Sequence, residues 1–200
     1  MIRILIAEDQ KLVRRALVAL LAMEEGVEVV AEAEDGETAV EQALLWRPDV
    51  ALLDIELPRL SGLEAIRLLR ERLPSCRTLV VTTFARPGYL ARAVKFGASG
   101  YISKDADVAD VCRAIRSVHA GERVFDPQLL AEALVMENPL SRRELEVLRQ
   151  TERGLSTREL AVALGLGEGT VRNYLSEIMS KLSVQTRREA VRIARENGWL

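Results

Sequence analysis

Taken by the spacing of its apolar positions, the first part of the chain repeats one unit five times. Short runs rich in apolar and β-branched residues fall at Arg3–Ala7, Val27–Ala31, Val50–Leu53, Thr78–Val81 and Gly100–Ile102, and a segment of helical period follows each. The first of these helices carries Leu12, Val13, Ala16, Leu17, Leu20 and Leu21 on one stripe, with Gly26 beyond its end. Strands that are apolar throughout must be covered on both faces. Five βα units therefore predict an α/β domain with a doubly wound, five-stranded parallel sheet. Ligands of such sheets sit at the carboxyl ends of the strands, so the residues that follow each strand are the place to look for chemistry.

After Gly121 the pattern changes. Asp126-Pro127 reads as a helix start and Asn138-Pro139 as a break, which makes 121–138 a partly helical linker. From Leu140 onward no strand pattern survives. Three Ser/Thr-x-x-Glu boxes mark helix starts at Ser141 with Glu144, Ser156 with Glu159, and Thr186 with Glu189. Leu140 with Leu145, and Leu155 with Leu160, are spaced to staple the first two, while Gly154 and Gly165 suit left-handed helix ends. The expected organisation is an α/β domain over 1–120, the linker, and a small all-α, four-helix domain over 139–200.

Composition adds a division of charge. Residues 1–138 hold 17 Lys/Arg against 22 Asp/Glu, a net of −5, whereas 139–200 hold 11 against 8, a net of +3. A basic excess of three is weak support for nucleic acid, since many exposed helices match it. No apolar run approaches about 18 residues, and the start MIRILIAEDQ has neither a basic flank nor a small-residue cleavage site, so a cytoplasmic protein without a membrane partner is expected. Cys76 and Cys112 lack metal-ligand spacing and read as buried thiols.

The strand ends gather acids. Glu8 and Asp9 close the first strand and Asp54 the third. Adjacent strands would bring three mutually repelling carboxylates into one crevice, an arrangement that a divalent cation would relieve. Magnesium suits oxygen-only ligands that leave room for water and phosphate. The plainer alternative has Asp9 capping a helix and Asp54 opening a turn before Pro58. The fourth strand, however, runs into Thr82-Thr83 and the fifth through Tyr101 to Lys104, adding a hydroxyl and an ammonium to the same crevice. With Asp54 as nucleophile, a metal and Lys104 could neutralise charge on a transferred phosphoryl group, and Thr82 could donate to it.

Residues 1 to about 120 resemble response-regulator receivers, which have a flavodoxin-like fold. The matching motifs are Glu8-Asp9, LLDIELPRLSG with Asp54, Pro58 and Gly62, the VTT ending in Thr82, and GYISKD with Tyr101 and Lys104. The resemblance implies that Asp9, Asp54 and the backbone carbonyl of Glu56 bind Mg²⁺, with Glu8 helping, and that Lys104 pairs with the phosphoryl group. It also implies that Thr82 and Tyr101 form a switch, and that the phosphoryl group comes from a phosphohistidine on a sensor histidine kinase. This chain is not that kinase: its only histidine, His119, lies late in a helix, and no glycine-rich ATP signature is present. Glu8 stands where aspartate is commoner and Leu57 where methionine is. Asp105 follows Lys104 in place of a common proline, so no cis bond is expected there.

Ser156 to Leu164, the turn at Gly165-Leu166-Gly167 and a helix from Glu168 to Leu182 make a helix-turn-helix candidate; periodicity alone would equally suit a structural bundle. Along the second helix Val171, Leu175, Ile178, Met179 and Leu182 form an inward stripe, and Arg172, Asn173, Ser176 and Ser180 face out. Residues 140–200 resemble the DNA-binding domain of the LuxR, NarL and FixJ group. The resemblance puts Arg172, Asn173 and Ser176 near base edges, with Thr170, Tyr174 and Lys181 as phosphate or supporting contacts. Arginine can pair with guanine and asparagine with adenine; serine discriminates poorly. Gly167, Glu168 and Gly169 depart from the family where a serine cap and polar residues are usual, which weakens the helix start and sets Glu168 against a nearby phosphate; the small basic excess of the module predicts weak monomer binding and a need for a homodimer on paired half-sites. TTFARPGY and IAEDQ look most like the DesR-type branch. The whole points to a transcription regulator in which phosphorylation of Asp54 promotes receiver dimerisation and binding to promoter DNA. The alternatives are a constitutive DNA-binding regulator with a vestigial receiver, and a phosphatase using Asp54 as nucleophile and Glu56 as acid.

Overall fold

The computed structural model describes residues 1–83, 87–135 and 138–200, with the side chains of Leu134, Val135 and Glu196 outside the description. Among the described residues the chain divides into two compact units, the first made of 1–83 and 90–133 and the second of 134–200 together with 87–89, and each is described by itself.

In the first unit, β1 (Ile2–Ala7), β2 (Val27–Ala33), β3 (Val50–Leu53), β4 (Arg77–Thr82) and β5 (Gly100–Ser103) form one parallel sheet in the order β2-β1-β3-β4-β5. The five expected strands are thus present, each longer by a residue or two except β3. The chain passes from β1 outward to β2, then crosses back to β3 on the other side. That reversal leaves a crevice between the carboxyl ends of β1 and β3, where neither connection covers the sheet. Register sets what reaches it: Ala7 pairs with Leu53, and Leu53 with Val80, so Glu8-Asp9 and Asp54 leave the sheet side by side.

The helices are α1 (Lys11–Leu21), α2 (Gly36–Trp46), α3 (Gly62–Arg72), α4 (Pro87–Phe96) and α5 (Val108–His119). One face of the sheet, Ile4, Ile6, Val50, Leu52, Leu79 and Val81, packs on Leu21 and on Val111, Ile115 and Val118 of α5. Successive strand residues face opposite ways, so β3 is buried along its whole length, whereas edge strand β2 turns Glu28 and Glu32 to solvent. The apolar stripe of α1 departs from expectation. Only Leu21 is fully buried and Leu12 is 83 % exposed, and a groove of about 360 Å³ opens between the stripe and Val108 and Val111 of α5. Beyond α5, Val124 makes a bridge to Gly100 at the edge of β5 before α6 (Pro127–Val135), which starts at the expected Asp126-Pro127. Met136 and Glu137 of the expected linker lie outside the described residues, as do Phe84, Ala85 and Arg86 of TTFARPGY.

The second unit contains α7 (Arg142–Glu152), α8 (Thr157–Leu164), α9 (Glu168–Lys181) and α10 (Arg187–Glu196). All three capping boxes form, with each Ser or Thr side chain accepting from the Glu amide and each Glu carboxylate accepting in return. Gly154 and Gly165 adopt positive φ, 78° and 64°, as the chain turns after α7 and α8. Leu140, Val147, Leu148, Leu160, Val171, Leu175, Ile178, Ala190 and Ala194 form the core, with Trp199 packed against it.

Candidate functional site

Three carboxylates meet in the crevice: one oxygen each of Glu8, Asp9 and Asp54 lies within 4.8 Å of the others. Glu8 and Asp54 are buried, Asp9 exposed. Lys104 Nζ sits 2.5 Å from Glu8 Oε2 and 2.8 Å from Asp54 Oδ2. The lysine is placed by β5, since its amide donates to the Thr82 carbonyl at 2.9 Å. Asp9 does not cap α1. Its N-cap is Gln10, without a side-chain cap bond, and the Gln10 amide donates to Glu8 Oε1.

Burial pushes the Glu8 carboxyl up from its ordinary range, and the hydrogen bond from Lys104 only partly opposes this. Burial also acts to lower the Lys104 pKa, but its bonds to Asp54 and Glu8 outweigh that and hold the ammonium charged. Three carboxylates against one ammonium leave a net charge of about −2 when all are ionised, and every donor is a hard oxygen. That combination fits a magnesium-sized divalent cation. Among the described residues the Glu56 carbonyl accepts no backbone hydrogen bond, and the Glu56 side chain is exposed.

Thr82 is wholly buried at the end of β4 and Tyr101 is buried in β5. Thr82 pairs with Ser103, two residues from Tyr101, so hydroxyl and ring lie on one face of the sheet, opposite α1 and α5. No peptide bond is cis among the described residues, as expected after Lys104.

Sequence reasoning missed Arg14. Its guanidinium donates to the Glu8 carbonyl and pairs with Glu32 at 3.5 Å and Glu34 at 3.8 Å, tying the start of α1 to the end of β2. An arginine inside an apolar stripe, three residues from exposed Lys11, was the available signal. A basic side chain so placed needs an acidic partner to be 88 % covered.

In the second unit α9 turns Thr170, Arg172, Asn173, Ser176 and Ser180 outward, while Val171, Leu175 and Ile178 are buried. Tyr174 and Met179 pack at the margin of the core. The start of α9 is Glu168 with Gly167 as N-cap, and no side chain supplies a cap bond. Glu168 instead pairs with Arg172 at 3.2 Å across one helical turn. Lys181 is also engaged: its Nζ lies 2.8 Å from the carboxylate of buried Glu144.

Two family models match, "Response regulator receiver domain" over residues 4–116 and "Bacterial regulatory proteins, luxR family" over 138–194. The chain belongs to the two-component transcriptional response regulators that join a receiver to a LuxR-type helix-turn-helix. It is 46 % identical over 200 residues to the uncharacterised transcriptional regulatory protein YvfU of Bacillus subtilis (strain 168), covering all of both chains. Transcriptional regulatory protein DesR of the same organism is 44 % identical, covering all of this chain and 99 % of that one. Among solved structures, response regulator ChrA of a heme-sensing two-component system matches with 33 % identity and a TM-score of 0.59, covering 100 % of this chain and 98 % of that one. No helix, among the described residues, is long and apolar enough to cross a membrane.

Proposed function

We propose that Asp54 accepts a phosphoryl group from a phosphohistidine of a cognate sensor histidine kinase in the cytoplasm, and that phosphorylation promotes homodimerisation and binding to promoter DNA. One observation carries this reading. Lys104 bridges Glu8 and Asp54 inside a carboxylate triad, at the point where the strand order reverses.

In the transfer, a carboxylate oxygen of Asp54 bonds to phosphorus as the phosphorus–nitrogen bond of the donor breaks, and the imidazole keeps the electron pair. Lys104, already 2.8 Å from Asp54, supplies a fixed positive charge to the transferred oxygens without reorganisation. Glu8, Asp9, Asp54 and the Glu56 carbonyl are the groups that would hold Mg²⁺, which when bound neutralises phosphoryl charge. Thr82 donates to the new phosphoryl group, and Tyr101 shares its sheet face and completes the switch. The added charge of roughly −1.5 to −2 biases the receiver between two surfaces. The apolar groove along α1 supports association of the receiver with another protein surface.

For DNA, Arg172, Asn173 and Ser176 are the base-reading candidates and Thr170 and Tyr174 the supporting ones. Their placement on the open face of a two-helix motif supports this. Loading the wild type and Asp54→Ala with acetyl phosphate and Mg²⁺ tests the proposal by mass, gel filtration and footprinting. Only the wild type should gain a phosphoryl group, dimerise and protect promoter sites. Equal responses in both proteins would refute it.

A further inference from the structure

The loop after Asp54 holds a residue whose conformation nothing in the sequence motif explains. Arg59 has a φ of 62°, in the left-handed region that favours glycine. The Leu60 amide donates to the Pro58 carbonyl at 2.7 Å, so Pro58–Arg59–Leu60 closes a three-residue turn with positive φ at its centre, a rare and strained form. The backbone around it is pressed close. A Cβ on Gly36 would lie 1.9 Å from the Leu60 carbonyl oxygen, and one on Gly62 1.8 Å from that of Asp54. A side chain at such a turn persists only when its surroundings hold it there.

What holds it is α2. The Arg59 guanidinium pairs with Asp35, which is 1 % exposed and caps α2 by accepting from the Thr38 amide at 2.9 Å. Arg59 Nη2 also donates to Thr38 Oγ1 at 2.9 Å, and the Gly36 amide donates to the Pro58 carbonyl. Asp35 lies two residues beyond the end of β2, the edge strand that pairs with β1.

We infer that Arg59 is a positioning residue for phosphoryl transfer at Asp54: its latch to buried Asp35 holds the strained Pro58–Leu60 turn, and so fixes Glu56 relative to the acceptor. This rests on the proposed role of Asp54. Glycine at 59 would relieve the strain, so a purely conformational role predicts that Arg59→Gly behaves as well as the wild type or better. A latch predicts the reverse.

The test compares wild type, Arg59→Gly, Arg59→Lys and Asp35→Asn, the last keeping a helix cap while dropping the charge. Hydrogen exchange across residues 55–62 is read without donor or added metal. The Mg²⁺ dependence of acetyl phosphate labelling is read separately, at temperatures well below each melting point. Arg59→Gly and Asp35→Asn should exchange about tenfold faster in this segment and need about tenfold more Mg²⁺ for half-maximal labelling, with the saturated rate less changed. Arg59→Lys should recover part of both. Wild-type exchange and Mg²⁺ dependence in Arg59→Gly would overturn the latch even with Asp54 labelled normally. No label on wild-type Asp54 would overturn the reading beneath it, whatever the exchange shows.

Discussion

Replacing Lys181 by methionine separates two roles that this residue could have. Glu144 is 1 % exposed, and its carboxylate accepts from the Ser141 amide at 2.6 Å as well as from Lys181 at 2.8 Å. Methionine preserves the aliphatic stem and removes the charge, leaving a buried carboxylate with only its capping bonds. Breaking a fully buried pair costs about 3–5 kcal/mol, but the Lys181 side chain is 41 % exposed, so the loss is closer to that of one charged hydrogen bond, about 2 kcal/mol. Burial alone would raise the Glu144 pKa; the bonds from Lys181 and Ser141 outweigh it and hold the pKa below 4.5. A depressed folded-state pKa stabilises above the unfolded value and loses that contribution as pH falls through the folded one. With Lys181 removed, burial is less opposed and Glu144 can take a proton more readily. The gap between the two proteins should therefore be widest near pH 7 and narrow as pH falls toward 4.5 and on through the depressed wild-type value below it. Urea unfolding followed by Trp199 fluorescence in a Trp46→Phe background isolates the C-terminal unit, and with a slope of about 1 kcal/mol per molar the midpoint should drop by about 2 M. Glu144→Met should recover most of the loss in the double variant. A loss under about 0.5 kcal/mol, or a gap that does not change with pH, would refute this reasoning. A fall of about one unit in the salt slope of DNA binding would instead assign Lys181 to a phosphate.

Lys104→Met should leave two buried carboxylates facing each other without their bridging charge. Labelling by acetyl phosphate should fall by at least about a hundredfold while Mg²⁺ still binds, which Mg²⁺-dependent stabilisation of the folded protein would register. Gly62→Ala should destabilise the receiver by about 3 kcal/mol, because its Cβ meets the Asp54 carbonyl backbone rather than a movable side chain; thermal melting checks this, and a neutral result would mean the loop has room. Arg172→Ala should cost about 1–3 kcal/mol at one guanine and little elsewhere, read by binding to a panel of single-base operator variants.

The five parallel strands were legible because β3 and its neighbours are apolar runs buried on both faces, and the acid, hydroxyl and lysine could be assigned to strand ends before any contact was known. The three capping boxes were equally plain, since Ser, Thr and Glu at fixed spacing do one local job. What escaped was non-local or conformational. The stripe of α1 has the period of a buried helix, yet burial depends on what else packs against the helix, and Leu12 lies open. The positive φ of Arg59 leaves no trace in composition, because the residue that usually signals it is glycine. Lys181 sits at helical spacing that suits a phosphate contact as well as an internal one, and only its closeness to Glu144, 37 residues away, shows its internal partner.

The two units treat buried charge in opposite ways, and this bears on how a signal can pass. In the receiver, three clustered carboxylates face one ammonium, so the site gains free energy from any added cation and from any group that redistributes the negative charge. A site so poised has energy available to bias neighbouring elements such as β4 and β5, which carry Thr82, Tyr101 and Lys104. In the C-terminal unit, buried Glu144 is closed by Lys181 and Ser141, each capping box is satisfied on both sides, and the core is continuous from Leu140 to Ala194. Nothing among its described residues is left uncompensated in the same way.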